Sequence, residues 1–190
     1  MILAKPTLDL QALDAPAEAN LKGGLSVATG SVRVPSGGRV IVISVHAPVM
    51  KARAEDLAGR DLESVRLPHY PTASLRDVAY VISRDLARGR RFLAAGDWNT
   101  SPQRWDEFHA THEADFFQRA ADDGWVDCFR RFHAEEGRTW FRGEDRPYQQ
   151  DHAFCDPATA SILESCDIDA HPAEVLKLSD HAPLVIEFTP

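Results

Sequence analysis

Arg91-Phe92-Leu93-Ala94-Ala95-Gly96-Asp97-Trp98-Asn99-Thr100-Ser101-Pro102 is the stretch on which the reading of this chain turns. Arg91 to Ala95 reads as a short strand, and Gly96 opens a polar loop. In extended backbone, residues two apart point the same way, so Asp97 and Asn99 share one side while Trp98 faces the other. The polar pair can then serve a site while the indole packs. Taken alone, the same residues read equally as turn formers after a glycine.

Working upstream, Leu75, Val78, Ile82 and Leu86 recur at helical spacing, with Thr72 or Ser74 as N-cap and Gly89 just past the end. The simple reading is a surface helix covering a sheet. Before it, Leu25 to Val34 and Arg39 to Val45 form a hairpin around Pro35-Ser36-Gly37-Gly38. Its second arm is apolar from Val40 to Ile43, as for a strand covered on both faces. That strand ends at His46-Ala47-Pro48, where proline marks the exit into a loop. Residues 1–24 read as an irregular lead-in to a single domain over 25–190.

Downstream, a helix is expected between Trp105 and Ala121, ending near Asp122-Asp123-Gly124. Strands follow at Gln150 to Cys155 and Leu184 to Phe188. Polar clusters therefore sit at several strand ends: His46, Asp97 with Asn99, Asp151-His152, and Asp180-His181 before the last strand. Each alone has a structural reading, as a turn, a cap or a satisfied histidine. Together they are the inventory for cleaving a phosphoester. Carboxylates offer hard oxygen ligands to Mg²⁺ or Mn²⁺, histidine can protonate or hydrogen-bond, and an Asn amide can donate to phosphate.

The order of these clusters resembles the endonuclease/exonuclease/phosphatase superfamily, the DNase I-like metal-dependent phosphodiesterases. The GD-x-N motif stands here as Gly96-Asp97-Trp98-Asn99, and the closing SDH-x-P motif as Ser179-Asp180-His181-Ala182-Pro183. Thr139-Trp140 and Asp151-His152-Ala153-Phe154 resemble the segments between them, and Ser44-Val45-His46 the strand end that carries a catalytic His in DNase-like members. The resemblance spans Leu25 to Phe188. It implies an α/β fold, a DNase I-like four-layer αββα sandwich of two mostly antiparallel sheets.

It also implies a hydrolase of phosphodiester or phosphomonoester bonds using Mg²⁺ or Mn²⁺. Asp97 would orient or deprotonate water, Asn99 would contact the scissile phosphate, and His46 would lie on the leaving-group side. Asp180 and Asp97 would bind metal. Asp151 would fix His181 as an imidazolium on the phosphate. The family places a strand ending in Asn and another ending in a metal-binding Glu upstream of the His46 equivalent. The 45 residues before His46 carry neither motif, which implies a fold truncated at its N-terminus, weakened metal binding and sheet edges open to self-association. A catalytically weak or inactive relative that binds a ligand or partner is the second reading.

Composition sets the remaining bounds. With 190 residues and 44% hydrophobic content the chain can bury a real core. A net charge of −8 argues against gripping long polyanions by bulk electrostatics. Charge is uneven, however, with nine basic and six acidic residues between Lys51 and Arg91. The Lys51 to Tyr70 loop, with Arg53, Arg60, Arg66 and His69, is where substrate contacts are expected. Three cysteines without a C-x-x-C pair read as ordinary thiols. No long apolar run or signal-like start is seen, so a cytoplasmic location is expected. A zinc site built from His46, His69, Asp97 and His181 is a distant third reading, unsupported by any H-E-x-x-H cluster.

Overall fold

Val40, Ile43 and Val45 are almost wholly buried, and the strand they define organises the larger of two sheets. The computed structural model describes residues 9–14, 24–34, 38–57, 59–69, 72–102, 107–142 and 148–189, without the side chains of 107–111 and 174. The expected hairpin is present as β2 (Ser26–Arg33) and β3 (Arg39–His46), paired antiparallel from Ser26↔His46 to Arg33↔Arg39. A strand β1 (Leu10–Leu13) adds to the free side of β2.

That strand corrects the reading of the first residues as wholly irregular. Its side chains are at most half-buried, so it carries no alternating apolar pattern. What fixes it is remote in sequence. The Arg39 guanidinium donates to the Asp9 carboxylate at 2.7 Å and to the Asp9 carbonyl at 2.9 Å.

From β3 the chain passes through one-turn α1 (Leu62–Val65) and α2 (Leu75–Ala87) before returning as β4 (Phe92–Asp97), parallel to β3. A parallel return needs a crossover, and α2 supplies it. Of the two candidate caps, Ser74 is used. Its hydroxyl accepts from the Asp77 N–H while Asp77 accepts from the Ser74 N–H, a reciprocal capping box. The helix is not the one-sided surface helix of the simple reading, because every residue from Leu75 to Ser83 is buried, Arg76 and Asp77 included.

Next come α3 (Glu107–Asp122), β5 (Val126–Asp127) and β6 (Asp151–Cys155), giving a six-stranded sheet ordered β1-β2-β3-β4-β6-β5. After one-turn α4 (Pro157–Ala160), β7 (Leu163–Ile168) pairs antiparallel with β8 (Leu184–Phe188) across one-turn α5 (His171–Glu174), forming a second sheet. Only β3 with β4 is parallel among the described pairs.

Alternation along β4 shows how the layers stack. Phe92 and Ala94 enter the core shared with α2 and α3, among Val78, Tyr80, Phe116 and Trp125. Leu93 and Ala95 enter a second core with Cys128, Cys155, Cys166 and Ile186, between the sheets. A strand covered on both faces is apolar at every position for this reason. All three cysteines are buried thiols, and burial pushes Cys166 up to about 12.

Candidate active site

Register across three neighbouring strands brings the first polar residues together. His46 lies opposite Asp97 in the parallel pair, and Asp97 opposite Asp151 in the antiparallel pair. The ladder continues past the strand ends, with the Ala47 N–H donating to the Asp97 carbonyl at 2.8 Å and the Trp98 N–H to the Gln150 carbonyl at 3.0 Å. Gly96 is required where the strands draw close. Its φ is +142°, and a Cβ there would collide with the Val45 carbonyl.

The loop then turns on itself. Asn99 adopts φ +49°, its N–H donates to Asp97 Oδ1 at 2.9 Å, and its amide Nδ2 donates to Asp97 Oδ2 at 3.0 Å. Asp97 and Asn99 thus share a side as expected, but through a left-handed turn and not through extended backbone. Trp98 is fully buried against Phe116, Trp125 and Phe154.

His181 arrives from the segment just before β8. Thr139-Trp140-Phe141 bridges the two regions. Thr139 Oγ1 accepts from the Gln150 and Asp151 N–H groups at 2.9 and 3.0 Å, the Thr139 carbonyl accepts from Ala182, and Phe141 N–H donates to the Asp180 carbonyl. This clip sets His181 Nδ1 2.8 Å from Asp151 Oδ2. His46 is looser: its Nδ1 donates to the Gly24 carbonyl at 2.9 Å, and its Nε2 faces Asp97 Oδ2 at 3.9 Å, beyond hydrogen-bond length.

Burial, and secondarily the negative charge of Asp151, raise the Asp97 carboxyl above its usual range. The hydrogen bond to Asp151 raises His181 and outweighs the opposing effect of burial. Asp180 is exposed at the rim, where its charge adds to those favouring the imidazolium. Asp97 and Asp151 are adjacent oxygen donors of the kind a hard dication takes. Among the described residues, no three His, Cys, Asp or Glu side chains are grouped as a metal site.

Beneath the loop lies a clamp that the sequence reading missed. Arg76 and Glu113, each 1% exposed, pair at 2.9 Å between α2 and α3. Arg76 also donates to the Asn99 carbonyl at 3.2 Å, while Glu113 accepts from the Thr100 hydroxyl and from the Ser101 N–H at 3.1 Å. His112 and Asp77 complete this buried network. The only sequence signal was charge on helical positions that had to face inward.

Several solved structures share this arrangement of strands. A 3′-phosphatase from Neisseria bound to a product DNA hairpin is 20% identical, covering 96% of this chain and 71% of that one with a TM-score of 0.58. An AP endonuclease from Leishmania major is 15% identical over 97% of this chain and 63% of its own, TM-score 0.65. Another from Archaeoglobus fulgidus is 17% identical over 95% and 72%, TM-score 0.60. The chain shares the DNase I-like fold of these phosphatases and endonucleases. No protein-family model and no curated protein matches the sequence.

Within this DNase I-like fold, Arg53, Arg60, Arg66 and His69 of the Lys51 to Tyr70 loop each have a carboxylate neighbour. Arg53 meets Glu55 at 3.2 Å, Arg60 meets Asp85 at 2.7 Å, Arg66 meets Glu63 at 2.7 Å, and His69 meets Asp115 at 2.9 Å. Each is paired with a carboxylate. His69 is held on α3 by that pairing, and no metal-site grouping of His46, His69, Asp97 and His181 occurs among the described residues. Among the described residues, no helix is long and apolar enough to cross a membrane.

Proposed function

We propose that the chain is a divalent-metal-assisted hydrolase of phosphodiester or phosphomonoester bonds, of nuclease or phosphatase type. The observation that carries this reading is the convergence of His46, Asp97 and Asp151 in register at three adjacent strand ends, with His181 bonded to Asp151. Nucleic acid is the substrate class favoured by the company the fold keeps, a phosphatase on a DNA hairpin and two AP endonucleases.

Asp97 is the residue that accepts the proton of the attacking water. Its partial burial raises its proton affinity, and Asn99 holds both of its oxygens in place. With Nδ1 committed to Asp151, His181 presents Nε2–H to a phosphate oxygen as a charge-assisted donor. The second amide hydrogen of Asn99 is available to the same phosphate, and His46 stands on the far side of Asp97. Asp97 and Asp151, with Asp180 at the rim, would hold Mg²⁺ or Mn²⁺. When bound, such an ion supplies charge neutralisation to the phosphate oxygens. The donor set suits it, since two neighbouring carboxylates are strained by mutual repulsion and Mg²⁺ typically takes one or two carboxylates plus water and phosphate.

Hydrolysis of bis(p-nitrophenyl) phosphate and of p-nitrophenyl phosphate with Mg²⁺ or Mn²⁺ tests the proposal. Asp97→Ala and His181→Ala should each lose about a hundredfold or more in rate. Variants indistinguishable from the unmodified chain would sink it. One observation favours a second reading, a relative that binds a phosphorylated ligand without turnover: among the described residues, no three His, Cys, Asp or Glu side chains lie close enough together to form a ready metal site. Phosphate binding that survives while no turnover is detected with either metal would select that reading.

A further inference from the structure

Asp97 ends β4, and Phe92 begins it, so the two lie ~17 Å apart at the strand rise of about 3.4 Å per residue. At the Phe92 end the chain forms a second concavity, an open cleft of about 760 Å³. Four arginines line it: Arg84 from α2, then Arg88, Arg90 and Arg91 from the turn into β4. Trp125 and Phe92 line it as well.

Two carboxylates also border the cleft, and one of them is fully engaged. Asp156 accepts from the Phe92 N–H at 2.7 Å, the Thr159 hydroxyl at 2.6 Å, and the Ala158 and Thr159 N–H groups at 2.9 and 3.0 Å. Asp123 accepts from the Tyr80 hydroxyl at 2.6 Å and forms a long ion pair with Arg84 at 3.7 Å, beyond hydrogen-bond length. Among the described residues, Arg91 donates to the Ala158 carbonyl at 3.4 Å, and Arg88 donates to Asp85. The Nε atoms of Arg84 and Arg91 are buried and have no hydrogen-bond partner among the described residues. Buried donors are ordinarily satisfied, so two guanidinium groups beside one cleft are left with hydrogen-bonding capacity that the described residues do not fill.

We infer that this cleft binds a phosphorylated small molecule, its phosphate held by Arg84 and Arg91 and screened by Arg88 and Arg90. Planar guanidinium forks match the several acceptor oxygens of a phosphate, which a single carboxylate cannot supply. The volume lies in the range of small-molecule sites. A net charge of −8 disfavours a long nucleic acid as the occupant. The site stands apart from the strand-end cluster and does not depend on its chemistry.

The test is a titration of the full chain with inorganic phosphate, in EDTA, followed by NMR of the arginine Nε–H and Trp125 indole signals. Saturable shifts of the Arg84 and Arg91 Nε–H signals in the millimolar range or tighter are expected. They should persist in Asn99→Ala, and the Arg84 Nε–H shift should need about tenfold or more phosphate in Arg90→Gln with Arg91→Gln. Arg88→Gln, at an exposed position, serves as a second variant if that pair does not fold, and it should weaken binding in the same direction. Shifts that never saturate, that sodium chloride of equal ionic strength reproduces, or that vanish in Asn99→Ala would overturn the inference. So would binding there of a single-stranded oligonucleotide lacking terminal phosphate when inorganic phosphate does not bind.

Discussion

His181 Nδ1 lies 2.8 Å from Asp151 Oδ2, although the two residues are 30 apart in sequence, Asp151 in the larger sheet and His181 in the segment that leads into β8. The bond raises the His181 pKa above its ordinary 6.5. Its contribution to stability is therefore complete below 6.5 and is lost as pH rises through the folded value. Asp151→Asn should bring His181 back down in an NMR titration of its ring protons. The high-pH limb of any hydrolytic activity should move to lower pH with it. An unchanged His181 titration would show that the pair does not govern the imidazolium.

Asp97 shifts stability with pH in the same direction. Its folded pKa is raised from 3.8, so the favourable protonated form is present below that value and is lost as pH rises through the folded pKa. At neutral pH the carboxylate is a net cost that a dication can offset. Mn²⁺ at a hundred times its dissociation constant should stabilise the chain by about 2.7 kcal/mol in thermal unfolding. Asp97→Ala should abolish that shift. A shift of equal size in the variant would place the metal elsewhere.

The Arg76 and Glu113 pair supports the Asn99 to Ser101 backbone from below, and breaking such a buried pair costs about 3 to 5 kcal/mol. Chemical denaturation should report a loss of that size for Glu113→Gln or Arg76→Met. The double variant should lose less than their sum, because no single charge is then stranded. Thr100→Val should cost only about 1 kcal/mol. Additive single losses would deny the coupling.

Gly96 has no room for a side chain, since a Cβ would strike the Val45 carbonyl across the parallel pair. Gly96→Ala should destabilise by about 3 kcal/mol or more, by clash and by backbone strain at positive φ. Soluble yield and denaturation midpoint measure this directly. Normal stability in the variant would mean that β3 and β4 can part without cost.

Periodicity made the main elements legible. The hairpin of β2 and β3, the helix after Ser74, β4, β6 and β8 were all readable because each carries its own local pattern of apolar spacing and turn residues. Short elements without such a pattern were not. β1 depends on Arg39 and Asp9, and β7, whose burial alternates irregularly, was read as no element at all. The Thr139-Trp140 segment was visible as a motif. Its work as the clip joining Asp151 to His181 was not, because that work consists of hydrogen bonds to residues far along the chain.

The sequence by itself determined which residue types stand at the strand ends: His46, Asp97, Asn99, Asp151, Asp180 and His181, each next to a turn signal that local chemistry imposes. Only the tertiary structure decided which of them meet. Register fixed His46 and Asp151 on either side of Asp97, and a left-handed turn aimed Asn99 back at Asp97. The structure also paired off the basic loop that composition had pointed to and gathered four arginines at the opposite end of β4. Net charge and spacing are properties of the chain. Which charges neutralise one another depends on distances of a few ångströms, and packing alone sets those.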